Sequence, residues 1–311
     1  MTLLPGVNSY LKIIETSLKN SSYEFFRRFF IIISSSSLFI AMTGCFKTYF
    51  SFSLYCTPPI FPLLLTTFLV IYSVYGLNKI TDIKEDQLNN PHRTSLILKY
   101  KKLFKYSAGF TYFLAVLIAC FYGWNVLLII LFPLLTGILY SKKLHPNIPR
   151  LKNIFPVKSI TVALSWTVGN TFLPIVNGKT NLQIILFIFY FFFTKIFINT
   201  VLFDLTDFKG DKEVGVRTIP VVMGPERTIL LLLFLNSTMS ILIVICIFCG
   251  LFKLLTLPLI FCSIYCYLYI IYFYRTKNRL RMEILVDGEW ILLVFISLLT
   301  MHFNPIPAIE F

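Results

Sequence analysis

Acidic residues are scarce in this chain, which has 14 Asp and Glu against 28 Lys and Arg in 311 residues. Charged residues make up only 14% of the sequence, whereas soluble domains carry about 25%. Together with a hydrophobic content of 57% and a mean hydropathy of +0.79, this excludes an ordinary water-soluble domain. The chain also lacks Gly/Ser-rich or Pro-rich linkers. We therefore expect one domain, residues 25–311, after an amino-terminal segment, residues 1–24, that can form a surface helix.

Histidine is also scarce, and the three histidines show no metal-ligand or catalytic-triad spacing: His92, His145 and His302. No histidine-based metal site or hydrolase triad is therefore predicted.

Apolar runs of about 20 residues, long enough to cross a hydrocarbon core of about 30 Å, recur along the whole chain. They are continuous and do not alternate with polar residues, so they indicate helices and not a β-barrel. The sequence predicts an all-α integral membrane protein, with about nine transmembrane helices in a bundle around a central cavity. The predicted spans are residues 27–47, 60–79, 104–122, 124–141, 154–173, 181–203, 228–250, 254–273 and 289–307.

The net charge of +14 is concentrated in alternate connections. Basic residues cluster in the amino-terminal segment and after the second, fourth, sixth and eighth predicted spans. By the positive-inside rule, these parts face the cytoplasm, and an odd number of spans places the carboxyl terminus outside. Topology thus explains the charge, and we expect a multi-pass protein of the cell membrane, if prokaryotic, with no nucleic-acid partner.

Half of the acidic residues lie in two short windows, each following a long apolar run. In the first window, Asn78, Asp82 and Asp86 recur every fourth residue, so on a helix they share one face at the end of the second span. Amide and carboxylate oxygens suit Mg²⁺, which binds a few carboxylates together with substrate phosphate oxygens. Arg93 follows, and its guanidinium can bind phosphate oxygens in a bidentate manner.

The second window places Asp204, Asp207 and Asp211 on one helical face at the end of the sixth span. Gly210 and Gly215 would let the backbone leave the helix and turn toward bound phosphate. Three neighbouring cations add candidate diphosphate ligands: Lys209, Lys212 and Arg217. Two acidic windows on the same side of a membrane indicate a divalent metal and a phosphorylated lipid.

Together the two windows resemble the motifs of the UbiA superfamily of intramembrane prenyltransferases. The first reads Asn-x-x-x-Asp-x-x-x-Asp, followed by Asn-x-Pro-x-Arg, and the second reads Asp-x-x-Asp-x-x-Gly-Asp-x-x-x-Gly-x-x-Thr-x-Pro. The resemblance covers nearly the whole chain. It implies that Mg²⁺ ions bound to both windows hold a prenyl diphosphate, with Asp204 in support. The implied Mg²⁺ ligands are Asn78, Asp82, Asp86, Asp207 and Asp211.

The resemblance also implies that a tyrosine and basic residues in the connection after the fourth span bind the diphosphate. These positions are Tyr140, Lys143 and Lys152. Two positions depart from the pattern of the superfamily. Lys79 stands where members commonly have Asp, and Thr94 stands where they often have Pro. Lys79 can contact the diphosphate or extend to the membrane surface, and the subfamily stays open.

The implied function is Mg²⁺-dependent transfer of a prenyl group from a polyprenyl diphosphate to a lipophilic or aromatic acceptor, as in quinone biosynthesis. The expected partners are that diphosphate, the acceptor and membrane lipid. Three alternatives remain: transfer to a glycerophosphate hydroxyl in ether-lipid synthesis, cyclisation of the prenyl chain without an acceptor, and an ion channel or transporter that uses the acids as a cation path.

Overall fold

The computed structural model describes residues 32–33, 35–83, 87, 91–141, 153–178, 180–276 and 278–303. Within these ranges every regular element is helical and no strand occurs. The predicted all-α class is therefore confirmed. Several predictions lie outside the described residues: the amino-terminal segment 1–24, and the candidate ligands Asp86, Lys143 and Lys152.

Eight of the long helices begin and end within a few residues of the predicted spans, whereas the first, Leu38–Leu54, lies further along the chain than the predicted span 27–47. Short helices occur in the connections, and a π-helical turn, Glu283–Asp287, leads into the last helix. In chain order the helices are α1 Leu38–Leu54, α2 Phe61–Thr81, α3 Pro91–Lys99, α4 Lys101–Tyr122, α5 Trp124–Ser141, α6 Val157–Phe172, α7 Leu182–Thr206, α8 Phe208–Val214, α9 Ile219–Met223, α10 Pro225–Phe248, α11 Thr256–Arg275, α12 Arg279–Met282 and α13 Glu289–Phe303.

Nine helices of 15 residues or more occur in the described part of the chain, one at each predicted span. Six segments are long and apolar enough to cross a membrane, and these include α2, α4, α7 and α10. The α1 helix and residues Trp124–Tyr140 of α5 are apolar but shorter. The protein is thus a multi-pass membrane protein, while the exact number of crossings and the orientation of the termini stay predictions.

The long helices pack in sequence order and close into a ring. Helix α1 packs against α2, α2 against α5, α5 against α6, and α6 against α7; α10, α11 and α13 follow, and α13 returns to α1. Helix α4 packs against α2 and α5. This arrangement leaves a cavity enclosed mainly by α1, α2, α6 and α7.

The outer surface and the interior of the bundle are both apolar, as expected for a protein surrounded by hydrocarbon. On the outside, Phe121 and Phe248 are 89% and 86% exposed. Inside, Phe191 and Phe192 of α7 pack against Trp290 of α13, with ring centroids 6.4 and 5.6 Å apart. This aromatic contact fixes α13 against the central helix α7.

Candidate functional site

The two acidic windows meet at one end of a cavity of about 270 Å³. Asn78 and Asp82 line it from the end of α2. Asp204, Asp207 and Asp211 line it from the junction of α7 and α8. The structure thus brings together every predicted metal ligand within the described residues.

Both windows lie where long helices end. Asp82 is the first residue beyond α2, and its backbone N–H donates to the Asn78 carbonyl at 2.9 Å. Asp207 separates α7 from α8 in the same manner, with its N–H bonded to the Phe203 carbonyl. The predicted single helical face for Asp204, Asp207 and Asp211 is therefore wrong, because the helix breaks at Asp207. The carboxyl end of a helix carries a partial negative charge, so carboxylates there are unfavourable unless cations accompany them.

The two glycines of the second window behave differently. Gly215 has a φ of 78°, a conformation that favours glycine, and it ends α8. The turn is closed by the Val216 N–H, which donates to the Asp211 carbonyl at 2.8 Å. Gly210 lies inside α8, so the prediction that the chain also leaves the helix there is wrong. Only one break was needed, because Asp207 already interrupts the helix.

Two cations partly neutralise the second window. The Lys158 Nζ on α6 lies 2.7 Å from Asp204 Oδ1 and 3.6 Å from Asp211 Oδ2. The Arg279 guanidinium on α12 donates to both carboxylate oxygens of Asp207, one of them at 2.7 Å. Ser159 Oγ adds a bond of 3.3 Å to Asp204 Oδ2. Within the described part of the chain, these three carboxylates therefore share two cations.

Of the three carboxylates in the second window, Asp211 is the one that can still accept a hydrogen bond or bind a cation. Its Oδ2 atom is buried and has no hydrogen-bond partner among the described residues. Burial raises the pKa of Asp211 to about 6, Lys158 opposes this rise, and the charges of Asp204 and Asp207 add to it. The Lys158 ammonium, 3.6 Å away and bonded more closely to Asp204, compensates this buried oxygen only in part, so the position favours the arrival of a further cation.

The residues present fit a magnesium ion that a substrate helps to bind. In the described part of the chain, no three His, Cys, Asp or Glu side chains form a group that could hold a metal by themselves. Mg²⁺ usually keeps several waters and takes only one or two carboxylates plus substrate phosphate oxygens. The donor set of Asn78, Asp82 and the second window matches that chemistry.

The predicted diphosphate ligands divide into two groups. Arg93 is buried at the cavity and lies 3.6 Å from Glu283, and Tyr140 also lines the cavity. The other three, Lys209, Lys212 and Arg217, are exposed and do not line it. Their role in diphosphate binding stays a prediction that the placement does not favour.

The position of Lys79 answers one question left by the sequence. Its side chain is buried, lines the cavity, and donates a hydrogen bond to the Ser35 carbonyl at 3.1 Å. It therefore does not extend to the membrane surface. Its neighbour Asn78 still lines the cavity. Lysine at position 79, where the superfamily commonly has Asp, therefore adds a positive charge to the cavity without displacing Asn78.

Sequence reasoning missed several charged residues of the cavity. Lys47, Arg279, Glu283 and Asp287 all line it. In the sequence, Arg279 belongs to the basic connection after the eighth predicted span, and no site role was predicted for Lys47, Glu283 or Asp287. For Lys47 a signal was present, since it lies well inside α1 and a cation within a membrane helix marks a candidate site. Arg279 offered no such signal, because its pairing with Asp207 joins residues 72 positions apart.

Aromatic and aliphatic side chains form much of the remaining wall of the cavity, together with Asn170, Asn199 and Thr200. Tyr75 of α2 and Trp166 of α6 stack with ring centroids 5.4 Å apart and an angle of 11° between their planes. Ile71, Val162 and Ile196 lie around the same space. The cavity therefore offers a charged end for an anion and a hydrocarbon-like depth for a chain attached to it.

Comparison with known proteins gives matches to one family. A model of the UbiA prenyltransferase family matches residues 30–300. A digeranylgeranylglyceryl phosphate synthase of Pyrococcus horikoshii is 29% identical over 179 residues, which cover 55% of this chain and 60% of that protein. The enzyme of the same name from Methanococcoides burtonii is 31% identical over 188 residues, covering 58% and 60%. The chain thus spans about three fifths of the length of these curated relatives.

Solved structures share the fold. A UbiA homolog from Archaeoglobus fulgidus, bound to GPP and Mg²⁺, aligns with a TM-score of 0.59 at 17% identity, covering 86% of this chain and 96% of that one. A structure from work on digeranylgeranylglyceryl phosphate synthase in membranes aligns with a TM-score of 0.56 at 20% identity, covering 87% and 94%.

Proposed function

The chain belongs to the UbiA prenyltransferase family, and on that premise we propose that it transfers a prenyl group from a prenyl diphosphate to an acceptor inside the membrane. The observation that carries the proposal is the meeting of both acidic windows at the charged end of a cavity with an apolar, aromatic depth. A diphosphate fits the first part and an isoprenoid chain fits the second.

Asn78, Asp82, Asp207 and Asp211 would hold Mg²⁺, and the sequence adds Asp86. The Archaeoglobus fulgidus homolog, which was solved with GPP and Mg²⁺, supports this assignment. When bound, Mg²⁺ neutralises charge on the diphosphate leaving group.

Protein cations share the developing negative charge as the carbon–oxygen bond of the donor breaks. Lys158 and Arg279 already contact carboxylates of the second window, so a diphosphate placed between them finds fixed positive charges. Arg93 also lines the cavity and, like Arg279, lies near Glu283. Fixed charges in a site that excludes water stabilise a transition state strongly, because they need no reorganisation during the reaction.

The prenyl group is left electron-poor at its allylic carbon, and the cavity suits such a group. The stacked rings of Tyr75 and Trp166 line the depth just beyond the acids. Aromatic ring faces attract positive charge. The apolar walls also keep water away from the carbon until the acceptor attacks.

For the acceptor we propose the hydroxyl group of a prenylated glycerol phosphate, and not the aromatic ring first expected. Both curated relatives carry the name digeranylgeranylglyceryl phosphate synthase, which favours this choice. A second phosphate needs further cations, and Lys47 and Lys79 line the same cavity. The hydroxyl oxygen forms the new bond to the allylic carbon and releases a proton. Asp287, whose charge interacts with Lys47, is the candidate to receive it.

The test uses purified protein in detergent or liposomes with Mg²⁺ and prenyl diphosphates of several chain lengths. Three arms differ in the acceptor: a glycerol phosphate with one geranylgeranyl ether chain, an aromatic hydroxy acid, and none. We expect a doubly prenylated product in the first arm, and no product after Mg²⁺ is removed with EDTA. Product only in the second arm would contradict the proposal that the acceptor is a prenylated glycerol phosphate. A cyclic hydrocarbon in the third arm favours a cyclase, and ion flux without any turnover contradicts an enzyme.

A further inference from the structure

A second depression, of about 370 Å³, lies between α2, α5 and α6, beside the main cavity. We call it the outer groove. Five residues line both spaces, so the two are continuous at the charged end of the bundle. The shared residues are Tyr75, Asn78, Tyr140, Val162 and Trp166.

The stacked rings of Tyr75 and Trp166 separate the two spaces below that end. On one side the main cavity continues toward Ile71 and Ile196. On the other side the outer groove continues toward Pro133 and Gly137 of α5. A molecule at the charged end therefore has two paths away from it, one in each space.

The outer groove is graded from polar to apolar. Asn78, Thr81 and Tyr140 line its upper part, and Val74, Pro133 and Leu134 line its depth. These residues extend over about two helical turns, or roughly 10 Å at a rise of about 1.5 Å per residue. Such a gradient matches an amphiphile with a hydroxylated head and one hydrocarbon chain.

Local sequence explains why the groove is open. Gly137 has no side chain, and a Cβ built there would lie 3.8 Å from Val74 Cγ1, so any larger group would enter the groove. The Thr136 and Ser165 hydroxyls bond to each other at 2.7 Å, which satisfies polar atoms on its wall. Ile138 is 41% exposed at the rim, so the groove opens toward the hydrocarbon of the membrane.

Charge decides which molecule uses which path. Asp82, Asp204, Asp207 and Asp211 line the main cavity, while the described lining of the outer groove contains no carboxylate and no cation. The charged groups of a diphosphate therefore bind on the side of the main cavity. From the stacked rings that part the two paths, we propose that the outer groove binds the prenyl chain of the acceptor lipid. This inference rests on the proposed function and deepens it.

The groove also explains how two long chains can meet without competing. Transfer to a prenylated glycerol phosphate needs the allylic carbon of one chain beside the hydroxyl that precedes the other chain. The two paths join at Asn78 and Tyr140, next to the acids, and diverge below. The reacting atoms can therefore meet at the junction while each chain has its own wall.

The first test fills the groove with Gly137→Leu. We expect the KM for the chain-bearing acceptor to rise about tenfold, since part of the burial of its chain is lost, while the KM for the prenyl diphosphate stays unchanged. Gly109→Leu is the matched control, because Gly109 is exposed on α4 and a Cβ there meets nothing within 4 Å. It should behave as wild type. An unchanged acceptor KM in Gly137→Leu, or an equal rise in both KM values, overturns the inference.

The second test keeps the wild-type chain, so it does not depend on how the variant folds. A glycerol phosphate with a photoreactive diazirine on its ether chain is bound with Mg²⁺ and irradiated. We expect label on α5 between Pro133 and Tyr140, and competition by the unlabelled acceptor. Label confined to α1 and α7 overturns the groove. If the wild type transfers no prenyl group to any acceptor, the proposed function fails as well, whereas transfer without α5 label removes only the groove.

Discussion

Two groups of paired charges lie in opposite surroundings within one bundle. At the acidic end, Lys158 and Asp204 are 17% and 6% exposed, and Arg279 and Asp207 are 22% and 18% exposed. Deep in the helices, Lys195 of α7 and Glu289 of α13 are both 0% exposed. The same chemical groups thus occur once beside an open cavity and once in a fully enclosed core.

The deep pair is saturated with hydrogen bonds. Lys195 Nζ donates to both Glu289 oxygens, at 2.7 and 2.9 Å, and to Tyr269 OH at 2.9 Å. Tyr269 donates in turn to Asn199 Oδ1 at 2.8 Å, and the Cys262 thiol donates to Glu289 Oε1 at 3.1 Å. All three ammonium hydrogens have partners, so the network joins α7, α11 and α13 and leaves no ammonium hydrogen free for a ligand.

At the acidic end, by contrast, the charged groups do not have all their hydrogen bonds filled. This difference distinguishes a binding site from a pair of charges that only stabilises the fold. Asp211 keeps a buried oxygen without a hydrogen bond in the described structure, and three carboxylates share two cations. A ligand that brings positive and negative charge together can replace these contacts at little cost. A ligand cannot replace the contacts of the deep pair in this way, because separating a buried charge from its partner is energetically costly.

The largest effect is expected from breaking the deep pair. Lys195→Met leaves the Glu289 carboxylate buried without its cation, so the free energy of unfolding should fall by about 3–5 kcal/mol. The measurement is thermal or denaturant unfolding of the purified protein in detergent. The double variant Lys195→Met with Glu289→Leu removes both charges and should recover most of the loss. Equal destabilisation by the single and double variants would contradict the assignment of the pair as a matched unit.

The next effect is expected at the acidic end, on activity and not on stability. Asp207→Asn removes a charge that the transition state needs, so turnover should fall by about 100-fold or more. The unfolding midpoint should stay near that of wild type, because Arg279 can still donate to the amide oxygen. Glu213→Gln is the control, since Glu213 is an exposed acid in the same window that does not line the cavity. Comparable losses in both variants would remove the site assignment.

A smaller effect of mixed sign is expected at Arg279. In Arg279→Gln, Asp207 loses its cation and is more available to Mg²⁺, while the diphosphate loses a positive partner. A charge-assisted hydrogen bond contributes about 1.5–3 kcal/mol. We expect kcat to fall about tenfold while the Mg²⁺ concentration for half-maximal rate also falls. A rise in that concentration would show that Arg279 helps to form the metal site and does not compete with the metal.

The comparison also shows which features the sequence could predict. The composition of each acidic window was predictable, because Asn78 and Asp82, or Asp204 and Asp211, are close in sequence. The break at Asp207, which places Asp204 on α7 and Asp211 on α8, was not. The deep pair was not, since Lys195 and Glu289 are 94 positions apart and only the packing of α7 against α13 joins them. For Lys209 and Lys212 the sequence instead predicted a site role that their exposed positions do not favour. Sequence proximity to the acids suggested a shared role, but α8 turns them away from the cavity.

The smallest effect is expected when the pH is changed. It tests directly whether Asp211 is available to bind a cation. Burial raises the pKa of this carboxyl from its ordinary value of 3.8 to about 6. Its protonation therefore stabilises the metal-free protein fully below about pH 3.8, and that contribution is lost as the pH rises through about 6.

Mg²⁺ needs the ionised form, so the metal-induced rise in the unfolding midpoint should weaken as the pH falls below about 6. The measurement is that midpoint with and without Mg²⁺ between pH 5 and 8, which needs no turnover. In Asp211→Asn, the Mg²⁺-induced rise in the midpoint should depend less on pH. In Lys195→Met, that rise should depend on pH as in the wild type, because Lys195 and Glu289 do not bind the metal. A pH dependence that persists unchanged in Asp211→Asn would assign the titration to another carboxylate of the cavity.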